Sequence, residues 1–294
     1  MKTSNYQRYL TSEAEFSEFE WISAKGQVLE HADNNYLIEQ SNNAVWLEML
    51  QWDTTVLGMC SARINAFFAF RDSWVRADLH PLIVKTHDFL KAKGVKFSSC
   101  RISCDDWVLA DILMEDGWIP RDMLNIYTLP DISSKAVFRD NVESLNRAEM
   151  NAVIDEFSGS FSHARLHRDP RIETSLATAF YRKMFESILN RPGGVLVGVR
   201  LQEQLAGLAI GAEDVELTKM IGRKISYLWQ IAVFEEFCGR GLSLKLLNGF
   251  LAHMHDVDII EIGTQFDHVP ANRLYMRAGL RLSANAMTFH KWFD

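Results

Sequence analysis

The sequence predicts an α/β protein, with α+β character, built on a mixed-direction sheet and folded as two related halves. Three observations carry that expectation. Segments with alternating apolar side chains, the period of a strand, take turns with segments whose apolar side chains recur every three or four residues, the period of a helix. A polar stretch with one proline, "PDISSK" at 130–135, divides the chain near its middle. A pattern also recurs: "WVLADILMEDGWI" and "PANRLYMRAGLRL" each read as a short helix, a stopping glycine, an apolar residue and a closing strand. Setting Gly117 on Gly279 puts Leu113 where the second copy carries Tyr275. The first copy lacks the acid–base-capable residue of that helix, so the working chemistry is expected in the second half. The expected domains are 1–130 and 136–294.

Composition narrows the classes. The 294 residues, 48% apolar and 23% charged, are ordinary for a soluble globular chain able to bury a substantial core. A net charge of −7 argues against wholesale binding to nucleic acid or an anionic membrane, though a local basic patch can still hold a phosphorylated ligand. Cys60, Cys100, Cys104 and Cys238 form no paired CxxC and no histidines cluster, so reduced thiols are expected and no metal. The stretch "MKTSNYQRYLTSEAEF" lacks the apolar core of a signal peptide, and no apolar run approaches membrane-spanning length. A soluble cytoplasmic protein is the expectation.

The elements follow in order. The first thirty-odd residues are polar and acidic with aromatics, compatible with a helix. Residues 43–67 read as strands around a turn, and 77–94 as a helix with Pro81 in its first turn. "VKFSSCRIS" is a strand, "DDWVLADILMEDG" a helix stopped by Gly117, and "WIPRDMLNIYTL" a strand. The second half opens with strand "AVFRDNV", then helices over 143–157 and 172–190 around the loop "SGSFSHARLHRDPR". Strands "VLVGVR" and "QLAGLAIGAE" follow the turn "RPGG". "KISYLWQIAVF" places apolar side chains at 225, 227, 229, 231 and 233. A helix striped by Leu242, Leu246, Phe250 and Met254, strand "DIIEIGTQF", helix "PANRLYMRAG" and strand "LRLSANAMTFHKWF" complete the chain. An exposed sheet edge in either half would make a homodimer easy.

Three constellations carry chemistry. In "FCGRGLSLKLL", Leu244 breaks a dinucleotide fingerprint and Leu242 breaks a P-loop. What remains is a strand, an acidic turn (Glu235, Glu236), Gly-x-Gly and a helix. Such a turn can wrap backbone N–H groups around a pyrophosphate, with Arg240 on a phosphate oxygen, or it can simply turn the chain tightly. Tyr275 shares an apolar face with Ala271, Leu274 and Ala278. It is either a core tyrosine or a phenol that hands a proton to a leaving thiolate. "SHARLHRDPRI" gathers Arg165, His167, Arg168, Asp169 and Arg171, either a solvated face or a basic lip for an anionic substrate.

"IAVFEEFCGRGLSLKLL" resembles motif A of the GNAT superfamily of acyl-CoA-dependent N-acyltransferases, and "HVPANRLYMRAGL" resembles the motif that follows it. Joined to "LQWDTTVLG", "DGWIPRDMLNIYTLP" and "ARLHRDPR", the chain beyond about Asn43 is similar to the TDP-fucosamine acetyltransferases. The resemblance implies tandem GNAT-like halves, the first degenerate and the second a complete acyl-CoA N-acyltransferase. It implies acetyl-CoA as cofactor and, as acceptor, the amine of a nucleotide-linked amino-dideoxy sugar for surface glycans. By it, the backbones of Ile231 and Val233 hold pantetheine, those of Gly239, Arg240, Gly241 and Ser243 hold pyrophosphate, and Ala271 is retained beside them. Tyr275 protonates the departing thiolate.

Three positions depart from the pattern: Cys238 replaces Arg or Gln, Ser243 replaces Gly or Ala, and His268 stands where Asn is usual. The general base is unnamed; a water chain past Gln230 or His268 is one route, and imidazole has a suitable ordinary pKa. Asp122 is the candidate for the substrate ammonium, and Arg165, His167 and Arg168 for its phosphates. With no Cys–His pair in these motifs, direct attack in a ternary complex is expected. Another amine as acceptor, or an acyl-CoA-binding module without catalysis, are the alternatives.

Overall fold

The computed structural model describes residues 1–10, 12–130, 132, 142–159, 161, 164–188, 190–191, 193–254 and 256–294. They pack as two compact units: Met1–Leu124 with Ala284–Asp294, and Asn125–Ser283. The sequence drew its boundary at 130–136, most of which lies outside the described residues. The packing assigns residues 284–294 to the first unit because they pair with a strand there, from Ala286↔Ser103 to Trp292↔Phe97.

The first unit runs β1 (Lys2–Thr3), α1 (Glu13–Glu30), β2 (Asn35–Gln40), β3 (Asn43–Met49), α2 (Gln51–Leu57), β4 (Ser61–Ala69), α3 (Arg76–Ala92), β5 (Phe97–Ser103) and α4 (Trp107–Glu115). Strand β6 (Ile119–Pro130) begins in it, and the last strand, β12 (Arg281–Trp292), ends in it. Its sheet order is β2-β3-β4-β5-β12. The second unit holds β7 (Val142–Ser144), α5 (Arg147–Gly159), α6 (Thr174–Ile188), β8 (Val195–Leu201), β9 (Gln204–Glu213), α7 (Val215–Ile221), β10 (Ile225–Val233), α8 (Leu242–His253), β11 (Ile259–Gln265) and α9 (Val269–Arg277). Its order is β6-β11-β10-β9-β8-β7.

Each unit repeats one plan. Strands β2, β3 and β4 are antiparallel, and β4 then pairs β5 in parallel. Likewise β8, β9 and β10 are antiparallel, and β10 pairs β11 in parallel. Both third strands carry a bulge at the same place. The β3/β4 ladder skips from Trp46↔Ala66 to Leu47↔Ile64, and the β9/β10 ladder from Leu228↔Gly211 to Gln230↔Ile210. Asn65 and Trp229 are the extra residues. Parallel pairing stops just before each bulge, at Ile64↔Cys100 and at Leu228↔Ile262. The extra residue adds twist and breaks the ladder, so each third strand parts from its parallel neighbour while both run on, β4 to Ala69 beside β5 to Ser103 and β10 to Val233 beside β11 to Gln265.

The helix echo holds at the level of single hydrogen bonds. Gly117 and Gly279 both take positive φ (76° and 87°). Trp118 N donates to Leu113 O at 2.9 Å, and Leu280 N to Tyr275 O at 3.0 Å. This is a helix end closed by a left-handed glycine, whose apolar follower turns back onto the last turn. The sequence spacing alone specified it.

Other readings need correction. Residues 43–67 contain a helix, α2, between two strands; Gly58 in the left-handed region stops it. Helix α3 begins at Arg76, so Pro81 lies in its second turn rather than its first. Val142–Ser144 form a strand, and the helix expected from 143 begins at Arg147. Helix α7 was not anticipated; the Asp214 side chain caps it by accepting from Leu217 N. Strand "AVFRDNV" lies outside the described residues except for Val142. All four cysteines are unpaired.

The first core gathers Leu47, Ile64, Phe67, Leu79, Ile102 and Phe289. At its margin Trp118 Nε1 donates to His87 Nε2 at 2.9 Å. Burial, helped by Lys291 and Lys91, pushes the His87 pKa down to about 4. In the second unit α8 packs onto the sheet at Gly211, where any Cβ would run into the Phe250 ring and Tyr227 O.

Replacing Gly211 by Ala is therefore expected to cost about 1–3 kcal/mol, read as a lowered urea midpoint. His87 is held neutral when folded, so its contribution is complete above its ordinary value near 6.5 and is lost as pH falls toward 4. Urea midpoints measured across that window should fall with acidification. His87→Gln, which keeps an acceptor for Trp118, should flatten the slope.

Candidate active site

The second unit assembles its site where β10 and β11 part beyond Leu228↔Ile262. Phe234 N donates to Ala206 O at 2.9 Å, which turns the groups of Ala232 and Phe234 toward β9. By strand alternation, the backbone groups of Ile231 and Val233 face the other way, beyond the last β10/β11 pair. Gln230 follows the bulge on the same strand.

A 3-10 turn, Glu235–Phe237, carries the chain out of β10. Cys238 is exposed, and its thiol lies 3.7 Å from Val233 O and 3.5 Å from Phe234 O. Gly239 and Gly241 then take φ of 76° and 75°, a conformation that strains any residue with a Cβ. Gly241 is the N-cap of α8 and offers no side-chain cap. The first amides of α8 therefore keep their demand for an acceptor, and a bound anion meets it. Arg240 stands exposed between the glycines; its guanidinium donates to Glu236 O at 3.4 Å. Ser243 occupies the second position of α8, half-buried. These residues fit a pyrophosphate.

Helix α9 presents the second group. His268 is its N-cap and is exposed, Ala271 is half-buried, and Tyr275 is 4% exposed. The Tyr275 ring meets Tyr127 of β6 edge-on, with centroids 5.6 Å apart. Burial, with Tyr127 close by, lifts the Tyr275 hydroxyl well above the usual tyrosine value. It is a protonated phenol throughout the neutral range.

Asn272 is the residue the sequence reading missed. It lies one turn before Tyr275 on the same side of the helix and is buried. Its Oδ1 accepts from Tyr127 Oη (2.8 Å) and Asn125 Nδ2 (2.7 Å). Its Nδ2 donates to His268 O (2.8 Å) and Gln265 O (3.0 Å). One amide thus ties the start of α9 to β6 and fixes the ring beside Tyr275. The available signal was a polar residue on the face of Tyr275, three positions before it.

The basic loop is anchored rather than merely solvated. Leu166 and Asp169 are buried in it. His167 stacks on Tyr181 (5.4 Å between centroids, 13° between planes) and meets Thr178 Oγ1 at 3.2 Å. Arg168 donates to both carboxylate oxygens of Asp267, at 2.9 and 3.0 Å, next to His268. Arg165 is half-buried on the same turn. Asp122 is buried on the part of β6 that belongs to the first unit. Among the described residues no group of side chains could hold a metal ion, and no helix is long and apolar enough to cross a membrane.

A bulged strand that parts from its parallel neighbour, followed by a left-handed glycine turn at a helix start, places an unpaired strand edge beside an anion-binding helix start. The comparisons bear on it directly. Residues 151–280 match the model of the Acetyltransferase (GNAT) family. The tandem GNAT protein from the clavulanic acid biosynthesis pathway superposes with a TM-score of 0.57 at 12% identity, over 95% of this chain and 94% of that one. A GCN5-related N-acetyltransferase from Kribbella flavida gives 0.56 at 12%, over 94% and 96%. One from Sphaerobacter thermophilus gives 0.55 at 14%, over 84% and 76%. At these identities the likeness shows the fold alone, a mixed α/β architecture like that of the tandem GNAT protein. No curated protein matches the sequence. The family match supports an acyltransferase.

Replacing Asn272 by Leu leaves two donors and two carbonyls facing an apolar side chain. A loss of about 1–3 kcal/mol is expected, checked by urea unfolding.

Proposed function

We propose that the protein is an acetyl-CoA-dependent N-acetyltransferase acting on the amine of a nucleotide-linked amino-dideoxy sugar. The observation that carries the reading is the Gly239–Gly241 turn, which opens onto the uncapped amides of α8 in the unit that also holds the strand edge at 231–233 and Tyr275. Acetyl-CoA supplies the thioester carbonyl that the amine attacks.

The chain's own residues do the rest. Backbone N–H groups at Gly239, Arg240, Gly241 and Ser243 bind pyrophosphate oxygens, and Arg240 adds a charge-assisted contact. The Ile231 and Val233 backbones align an extended arm along β10. Ala271 keeps the face of α9 small there. Tyr275 Oη holds the proton that a departing thiolate takes, and its raised pKa keeps that proton in place at neutral pH. His268 and Gln230 line the route by which the acceptor loses its proton. Arg165, His167 and Arg168 form the lip for substrate phosphates. No covalent enzyme intermediate is needed.

One observation favours a second acceptor class. Arg168 is already ion-paired with Asp267, which suits a small amine, an amino acid or a protein N-terminus better than a diphosphate.

Thiol release from acetyl-CoA, followed optically with TDP-linked 3- and 4-amino sugars beside simple amines, separates the readings. Release with a nucleotide sugar supports the first, and release only with simple amines supports the second. In the active assay, Tyr275→Phe is expected to lower kcat about 100-fold with little change in acetyl-CoA binding. Because the phenol titrates far above neutrality, wild-type kcat should show no alkaline fall from this group below about pH 10. Reversing Arg165 and Arg168 to Glu should raise KM for a nucleotide sugar and leave that for a simple amine unchanged.

A further inference from the structure

We infer that the first unit carries a second groove of the acyl-CoA type, and that the chain's own strand β1 fills it. What the equivalent groove in the second unit binds rests on the function proposed above; the occupant of the first rests on geometry alone.

The two grooves can be matched residue by residue. Phe70 N donates to Asn42 O at 2.9 Å, the counterpart of the bond from Phe234 N to Ala206 O at 2.9 Å. Counting back from these anchors, with bulges at Asn65 and Trp229, Phe67 matches Ile231 and Ala69 matches Val233. These are the positions whose backbones were assigned to the pantetheine arm in the second unit.

In the first unit they are already engaged. Ser4 N donates to Phe67 O at 3.0 Å, and Phe67 N donates back to Ser4 Oγ at 3.0 Å. Lys2 pairs with Ala69 and Thr3 with Phe68 in antiparallel register. Across the gap, Ser103 N of β5 donates to Ser4 O at 2.7 Å. The segment bridges β4 and β5 just beyond the point where their parallel pairing ends.

Side chains lock it there. Thr3 and Ser4 are fully buried. The Thr3 hydroxyl donates to Glu20 Oε2 of α1, and Asn5 Nδ2 donates to Glu20 Oε1 at 2.6 Å. Lys2 Nζ reaches a carboxylate oxygen of Asp106 at 2.7 Å. Asp106 is the N-cap of α4, as His268 is of α9, so a cation stands at the head of the helix that lost its tyrosine.

The phosphate turn is missing as well. The connection from β4 to α3, "FRDSWV" at 70–75, contains no glycine and no residue of positive φ, and α3 starts behind an extended Val75. The groove kept its strand edge and lost its anion cradle. It suits an uncharged extended backbone, and β1 supplies one. The protein therefore binds one acyl-CoA per chain.

Amide hydrogen exchange on the whole chain, with and without coenzyme A, tests this, with calorimetric titration for stoichiometry. Residues 66–69 are expected to exchange slowly without ligand and to be unchanged by coenzyme A. Residues 229–243 should slow only when it is added, with one equivalent bound. Ser4→Pro, which removes both the amide donor and the hydroxyl, should speed exchange at 67–69 about tenfold or more. Rapid exchange at 66–69 in the unliganded wild type, protection there by coenzyme A, or two equivalents bound would overturn the inference. Slow exchange at 66–69 with no response to coenzyme A anywhere would sink the proposed cofactor and leave the strand plug standing.

Discussion

A β-strand that parts from its parallel neighbour must find another partner for its backbone, and that constraint organises both units. The cause is a single extra residue, Asn65 in β4 and Trp229 in β10, which breaks the ladder and ends parallel pairing at Ile64↔Cys100 and Leu228↔Ile262. Beyond that point N–H and C=O groups face a gap. Backbone groups need a partner: the fully buried Thr3 and Ser4 meet them in the first unit, and the half-exposed edge at 231–233 is open to solvent or a ligand. The first unit closes it with its own chain. The second presents the edge beside an anion cradle.

The difference between the units lies in the connection after the bulged strand. Neither α8 nor α3 has a side-chain cap, but Gly239 and Gly241 bring the chain into α8 through two left-handed residues. In the first unit Val75 precedes α3 in an extended conformation and Trp74 is buried beside it. Two glycines, rather than any charged residue, separate a turn suited to phosphate from one that is only a link. Arg240 reinforces that turn; it does not create it.

Around Tyr275 the physics is that of a buried polar cluster. A phenol in an apolar setting keeps its proton because the phenolate would be desolvated. It keeps its place because Asn272 spends its whole hydrogen-bonding capacity on the elements around it. The basic loop follows the same rule: Arg168 is held by Asp267 and His167 by Tyr181, so charges that looked solvated in the sequence have defined positions.

The sequence by itself determined most of the longer periodic elements and the helix ends closed by glycine. Each depends on residues close together in the chain: Gly117 and Gly279 stop helices by letting Trp118 and Leu280 donate to carbonyls five residues back, and Gly239 and Gly241 set local φ. The short helices α2 and α7 escaped because few apolar positions fall within so short a segment to set a period. Tertiary structure alone decided what depends on partners far apart in sequence. The bulges are visible only against β3 and β9, Asn272 matters because Asn125 and Tyr127 lie beside it, and β1 plugs a gap made by residues sixty to a hundred positions away. Local rules fix what a segment is; only packing fixes which backbone edges are left to bind.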